Sequence, residues 1–251
     1  MEFTPIAQFA LLLVRPGMIV AVAPGIGGAH IPVAVKVGLT VLLAIGLFPG
    51  VPVPDVGSDL TLTGVIAREA AIGLALAFVL RVLVGAAELA GHLSGFQIGF
   101  SYGATIDPQS GVSNTTLAIL YGSLATLGLL AVNGHHMILR ALAASYAGVP
   151  IGGGGIAASL PEAVRDILGL LFVVGARLAA PVIIVLLLVE LVVGLIARSS
   201  PSLIFMVIGY PIRLVVGLTV LAALVGVVPS VVNSMLDQTV ALSARLALAF
   251  R

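Results

Sequence analysis

The 251-residue chain contains no cysteine, and that absence excludes disulfides, thiolate zinc sites and cysteine nucleophiles. Tryptophan is also missing and only four tyrosines are present, so the aromatic belt that marks the two faces of an ordinary bilayer protein is thin. Charge is scarcer still. Only 8% of residues are Asp, Glu, Lys or Arg, against about 25% in soluble domains. Hydrophobic residues make up 60%, and mean hydropathy is +1.26. Such a chain is no soluble globule; it is an integral membrane or membrane-inserted assembly protein. The net charge is +1, with the 11 basic residues spread along the chain, which argues against a nucleic-acid-binding surface. Met1-Glu2 gives an acidic start and Arg15-Pro16 interrupts the first apolar run. Ala21-Val22-Ala23 therefore carries little weight as a cleavage site, and the N-terminus is expected to be retained.

What is abundant is glycine, at 30 residues, with 14 prolines. Ala87, Gly91, Gly95, Gly99 and Gly103 recur every fourth residue, which on a helix forms one slowly drifting stripe where two helices can approach closely. Asp107-Pro108 then opposes the helix dipole and the α conformation, so this helix is predicted to end by about Thr105. The polar segment Asp107, Pro108, Gln109, Ser110, Gly111, Val112, Ser113, Asn114, Thr115, Thr116 follows. It separates two apolar blocks.

In chain order, apolar runs cover Ile6–Val22, Ile31–Phe48, Leu60–Leu89, Leu117–Val132, Met137–Tyr146, Leu168–Ala197 and Ile212–Leu236, with Asp237–Arg251 as an amphipathic tail. A helix start is predicted at Leu160 or Pro161, with Glu162, Arg165 and Asp166 in its first turns. Strand-like alternation is nowhere sustained. The fold class is all-α membrane, with about six hydrophobic segments broken by Gly and Pro into helical hairpins rather than uninterrupted spans. No loop has enough lysine and arginine to set an orientation.

Ionic groups in hydrocarbon are costly, so Arg15, Lys36, Arg68, Glu69, Arg81, Glu88, Arg177, Glu190 and Arg213 need partners, water or an interior face. Arg81 and Glu88, seven residues apart, share a face; with Arg177 and Glu190 they are candidates for buried charge pairing. Such charges can line a polar conduit or tie helices and subunits together, and their scatter favours the second role. Gly99-Phe100-Ser101-Tyr102-Gly103 matches the G-x-S-x-G nucleophile elbow, but that elbow needs a preceding strand, and the flanks here argue helix. Ser101 is read as bonding a carbonyl one turn back. Adjacent His135 and His136 face different ways without a nearby carboxylate, so a helix-end cap is preferred to a metal site. Asn114-Thr115-Thr116 is a sequon by chance. No catalytic residue, metal or cofactor is assigned.

Three stretches together resemble the R subunit of the flagellar export gate, the FliR family, whose injectisome counterpart is the T subunit. They are Leu93 through Pro108, Val132-Asn133-Gly134-His135-His136, and Leu191–Arg198 continuing through Pro201-Ser202-Leu203-Ile204-Phe205 to Ile208-Gly209-Tyr210-Pro211-Ile212. One departure is Ile204, where a polar Asn is expected after the P-x-L triplet. The resemblance implies a single export-gate subunit, residues 1–251, with hairpins like a P subunit joined to a Q subunit. Implied partners are P-type and Q-type subunits, a B-type switch subunit and unfolded export substrates, in the bacterial inner membrane at the flagellar basal body. It also implies that the loop after Asp107-Pro108 plugs the pore. A virulence injectisome subunit and a multispan secondary transporter are the alternatives. The transporter would need an internal repeat, and residues 1–125 and 126–251 show no matched pair of broken helices.

Overall fold

A computed structural model describes residues 5–28, 30–51, 59–100, 116–153, 160–198, 209–227, 230, 231 and 235. Among them are seven α-helices and no strand. They are α1 (Pro5–Val22), α2 (Val33–Leu47, followed by a 3-10 turn at Phe48–Gly50), α3 (Asp59–Ile98), α4 (Thr116–Ala131), α5 (Gly134–Gly148), α6 (Leu160–Ala197) and α7 (Gly209–Val225). This is an all-α membrane protein.

Three segments are long and apolar enough to cross a bilayer singly: Val33–Gly50, Leu62–Ile98 and Leu160–Ala197. α4 and α5 are together long and apolar enough for one broken span or a re-entrant loop, while Gln8–Val22 and Gly209–Leu224 are shorter apolar helices. The expected number of hydrophobic segments is present, but fewer of them are uninterrupted crossings than a hydropathy count suggests. The two longest, α3 and α6, each absorb stretches that the sequence presents as separate pieces: the glycine ridge continues α3, and the acidic start at Glu162 continues α6.

Two breaks have local causes. α3 stops at Ile98, seven residues before the predicted end, because Gly99 adopts φ 104°, a left-handed geometry suited to glycine. There the Phe100 N–H donates to the Gly95 carbonyl at 3.0 Å and the Gly99 N–H to the Phe96 carbonyl at 3.2 Å, the paired bonds of a Schellman cap. Asp107-Pro108 is therefore not what ends the helix. At the second break Asn133 takes φ 58°, tolerable for Asn, and its carbonyl accepts from the His136 N–H at 2.9 Å. His135 and His136 thus open α5 rather than close α4, and no side chain caps that end. His135 Nδ1 is buried without a hydrogen-bond partner among the described residues, so the predicted capping role does not hold.

The chain divides into two units. The first comprises Met1–Leu83, Leu130–Leu168 and Ser234–Arg251. Its core is built by Leu11, Leu12 and Ile19 of α1, Ile72, Leu76 and Leu80 of α3, and Ile138, Leu142 and Tyr146 of α5. The second comprises Val84–Leu129 and Gly169–Asn233, with Val84, Ala87, Ala90 and Ile98 of α3, Leu117, Tyr121 and Ala125 of α4, Ala179, Val182 and Leu186 of α6, and Leu221 of α7.

Candidate functional site

The most completely matched polar group lies in the first unit. α1 carries Arg15 and Pro16 in its middle, an arrangement that puts a cation and a backbone defect side by side, since Pro16 has no N–H for the Leu12 carbonyl. Arg15 and Glu69 are both fully buried, at 0% exposure. Their contact is a two-pronged fork: Nε donates to Glu69 Oε2 at 2.8 Å and one terminal nitrogen to Oε1 at 3.0 Å. The other terminal nitrogen donates to Ser145 Oγ at 2.8 Å, and the Val149 carbonyl accepts a further bond at 3.1 Å. The guanidinium carbon stands 4.1 Å from the Tyr146 ring centroid, close enough for cation–π attraction. The Tyr146 hydroxyl donates to the Leu12 carbonyl at 3.3 Å, supplying the donor that Pro16 lacks. One cluster therefore answers both defects of α1 with groups from α3 and α5.

Other charges are matched more simply. Lys36 Nζ donates to the Gly27 carbonyl at 2.9 Å, and Arg68 to the Gly152 carbonyl at 3.1 Å. In the second unit Glu190 of α6 accepts from Arg213 of α7 at 2.9 Å and from Gln97 of α3 at 3.2 Å. Arg81 is exposed, and Glu88 is half-buried, with its Cγ 2.9 Å from where a Cβ on Gly122 would stand. Arg177 is exposed on α6, and no hydrogen bond or ion pair joins its side chain to another described residue. Partner choice follows proximity in space: Arg15 and Glu69 lie 54 positions apart and nothing local in the sequence couples them.

Glycines mark where helices cross. A Cβ on Gly91 would stand 2.5 Å from the Leu117 carbonyl oxygen and 2.6 Å from the Ala118 Cα, so α3 and α4 meet backbone to backbone there. Gly73 does the same for α3 against α1, where the Arg15 carbonyl oxygen would lie 2.6 Å away. Gly175 of α6 faces the Ala86 carbonyl and Leu89 of α3, and Gly217 of α7 faces Ile98. Of the ridge, Ala87, Gly91, Gly95 and Gly99 are buried; Gly103 lies outside the described residues, as do Asp107 to Asn114, Ser101 and the tail from Asp237. What leads into Ser101 is α3, a helix, where the nucleophile elbow requires a strand. The His135 and His136 rings are edge-to-face, 4.4 Å apart, and no group of three metal-capable side chains forms among the described residues.

The geometry is that of a scaffold. Charges are neutralised inside, helices cross at glycines, and much apolar surface stays open, with only 6% of the α2 window and 22% of the α6 window buried.

Comparison with known proteins places this scaffold. The family model described as bacterial export proteins, family 1, matches residues 6–239. The flagellar biosynthetic protein FliR of Escherichia coli K12 is 32% identical over 213 residues, covering 84% of this chain and 82% of the relative. FliR of Bacillus subtilis 168 is 26% identical over 92% of this chain and 91% of its own length, and FliR of Caulobacter vibrioides is 30% identical over 85% and 86%. An all-helical membrane chain matched by the family model over nearly its whole length, and by these relatives over most of theirs, belongs to the bacterial export proteins of family 1, in the FliR family.

Proposed function

We propose that this chain is the R-type subunit of a flagellar protein export gate in the bacterial inner membrane. With P-type and Q-type subunits it forms the conduit through which unfolded flagellar substrates leave the cytoplasm, and a B-type switch subunit docks on the assembly. The observation that carries this reading is the family match running from residue 6 to residue 239. The names of the relatives favour flagellar over injectisome use. In this reading Asp107 to Asn114 is the plug of the conduit.

Deleting the chain from its native bacterium is expected to abolish secretion of flagellar substrates and swimming, with both restored by re-expression. The tagged protein is expected to co-purify with P-type and Q-type subunits in mild detergent. Normal secretion in the deletion strain would overturn the proposal.

A further inference from the structure

Arg177 and Pro181 of α6 repeat, at a spacing of four, the two defects that α1 carries at Arg15 and Pro16. Pro181 has no N–H to give the Arg177 carbonyl, and the Arg177 guanidinium is exposed without a partner among the described residues. In α1 the same needs are met inside the chain, the guanidinium by Glu69 and the proline-freed Leu12 carbonyl by the Tyr146 hydroxyl. Among the described residues, no side chain gives α6 such an answer.

The surroundings of Arg177 point outward to protein. Val173, Ile184, Leu188, Leu191 and Leu195 lie on its face of the helix at helical spacing, and all are exposed. Exposed large apolar side chains run from Leu168 to Ile196, about 42 Å at the α-helical rise, whereas the hydrocarbon of a bilayer is about 30 Å thick. A layer that leaves Arg177 outside also leaves Leu168, Phe172 and Val173 in water, and a layer that covers them takes the guanidinium into hydrocarbon. A lipid phosphate is itself an acceptor only: it would neutralise the guanidinium, and the Arg177 carbonyl would still need a donor from a separate group. Exposed Ala176 and half-buried Ala180 flank Arg177 and keep the helix surface low enough for a neighbouring backbone.

We propose that the Arg177–Pro181 turn of α6 is a docking site for a helix of a neighbouring subunit, which brings a carboxylate to the guanidinium and a hydroxyl to the Arg177 carbonyl. The inference rests on the reading of this chain as an export-gate subunit and names the chemistry of one of its partners.

The test uses the assembly purified from native membranes. Arg177→Glu should lower recovery of one co-purifying subunit by roughly tenfold or more, the scale for reversing a charge at a desolvated pair, while the chain itself stays in the membrane at the parental level. Arg177→Lys should retain most of the assembly. In the assembly of the otherwise unaltered chain, a photo-crosslinking amino acid at Ile184 should join a subunit helix bearing Asp or Glu within a turn of the linked residue, and changing that carboxylate to Lys should rescue Arg177→Glu. Parental yield of the Arg177→Glu assembly would overturn the proposal. So would crosslinks confined to lipid, to a helix without a carboxylate, or to residues 101–115 or 236–251 of this chain. Failure of the unaltered chain to assemble at all would instead remove the export-gate reading.

Discussion

Arg15 and Glu69 illustrate how a membrane helix can hold a buried charge. Two ions removed from water are stable only if their geometry is good and their remaining hydrogen bonds are met. The geometry comes close to both: the fork to Glu69 is two-pronged, Ser145 and Val149 accept two more guanidinium N–H groups, so that four of the five are bonded, and the Ser145 hydroxyl donates to the Leu142 carbonyl at 2.6 Å. Removing one partner should therefore be worse than removing both. Glu69→Ala, which strands Arg15 in the core of the first unit, is expected to destabilise the purified protein by about 3–5 kcal/mol. Arg15→Met with Glu69→Leu is expected to lose less than Glu69→Ala alone. Unfolding followed in detergent compares the two, and a double variant less stable than the single one would show that the pair adds net stability rather than avoiding a stranded charge.

Within α3, chemically identical glycines do different jobs, and the neighbouring element decides which. Gly64 has open space where a Cβ would go, whereas Gly91 has the α4 backbone at 2.5 Å and Gly73 the α1 backbone at 2.6 Å. Gly64→Ala should accordingly be neutral or stabilise by about 0.5–1 kcal/mol through helix propensity. Gly91→Ala should destabilise by on the order of 3 kcal/mol, because two backbones must separate. Thermal unfolding of the two variants in one detergent checks the sign, and a Gly91→Ala protein as stable as the parent would mean that α3 and α4 do not cross there. These jobs were only partly legible in the sequence. The four-residue spacing of Ala87, Gly91, Gly95 and Gly99 announced a surface free of large side chains, since spacing is a local property. It did not announce that Gly99 is a left-handed cap ending the helix at Ile98, because a packing glycine and a capping glycine look alike until the Gly95 carbonyl is seen to accept from Phe100. Helix starts and apolar runs were legible for the same local reason. The Arg15–Glu69 and Glu190–Arg213 partnerships were not, because they depend on which helices pack together; only the need for a partner could be read in advance.

In the proposed export gate, a conduit wide enough for an unfolded chain would leak ions when idle, so the assembly would need a closure, and the chain length between α3 and α4 bears on where it would lie. α4 begins beside Gly91, at Leu117 and Ala118, only seven residues down α3 from Ile98. The connection therefore has to come back by about 10 Å along the helix. Residues 101–115 can extend to about 50 Å, several times that need. Within them Gln109-Ser110-Gly111-Val112-Ser113 carries no charge, so it can occupy a pore without gripping a substrate electrostatically. Removing these five residues leaves ten, still able to reach about 33 Å and so to join α3 to α4 without strain. Deletion of Gln109 to Ser113 is therefore expected to leave the complex assembled while raising its resting conductance to small ions in planar bilayers. An assembled deletion complex with parental leakage would make the segment a connector, and the closure would then have to be sought on another subunit.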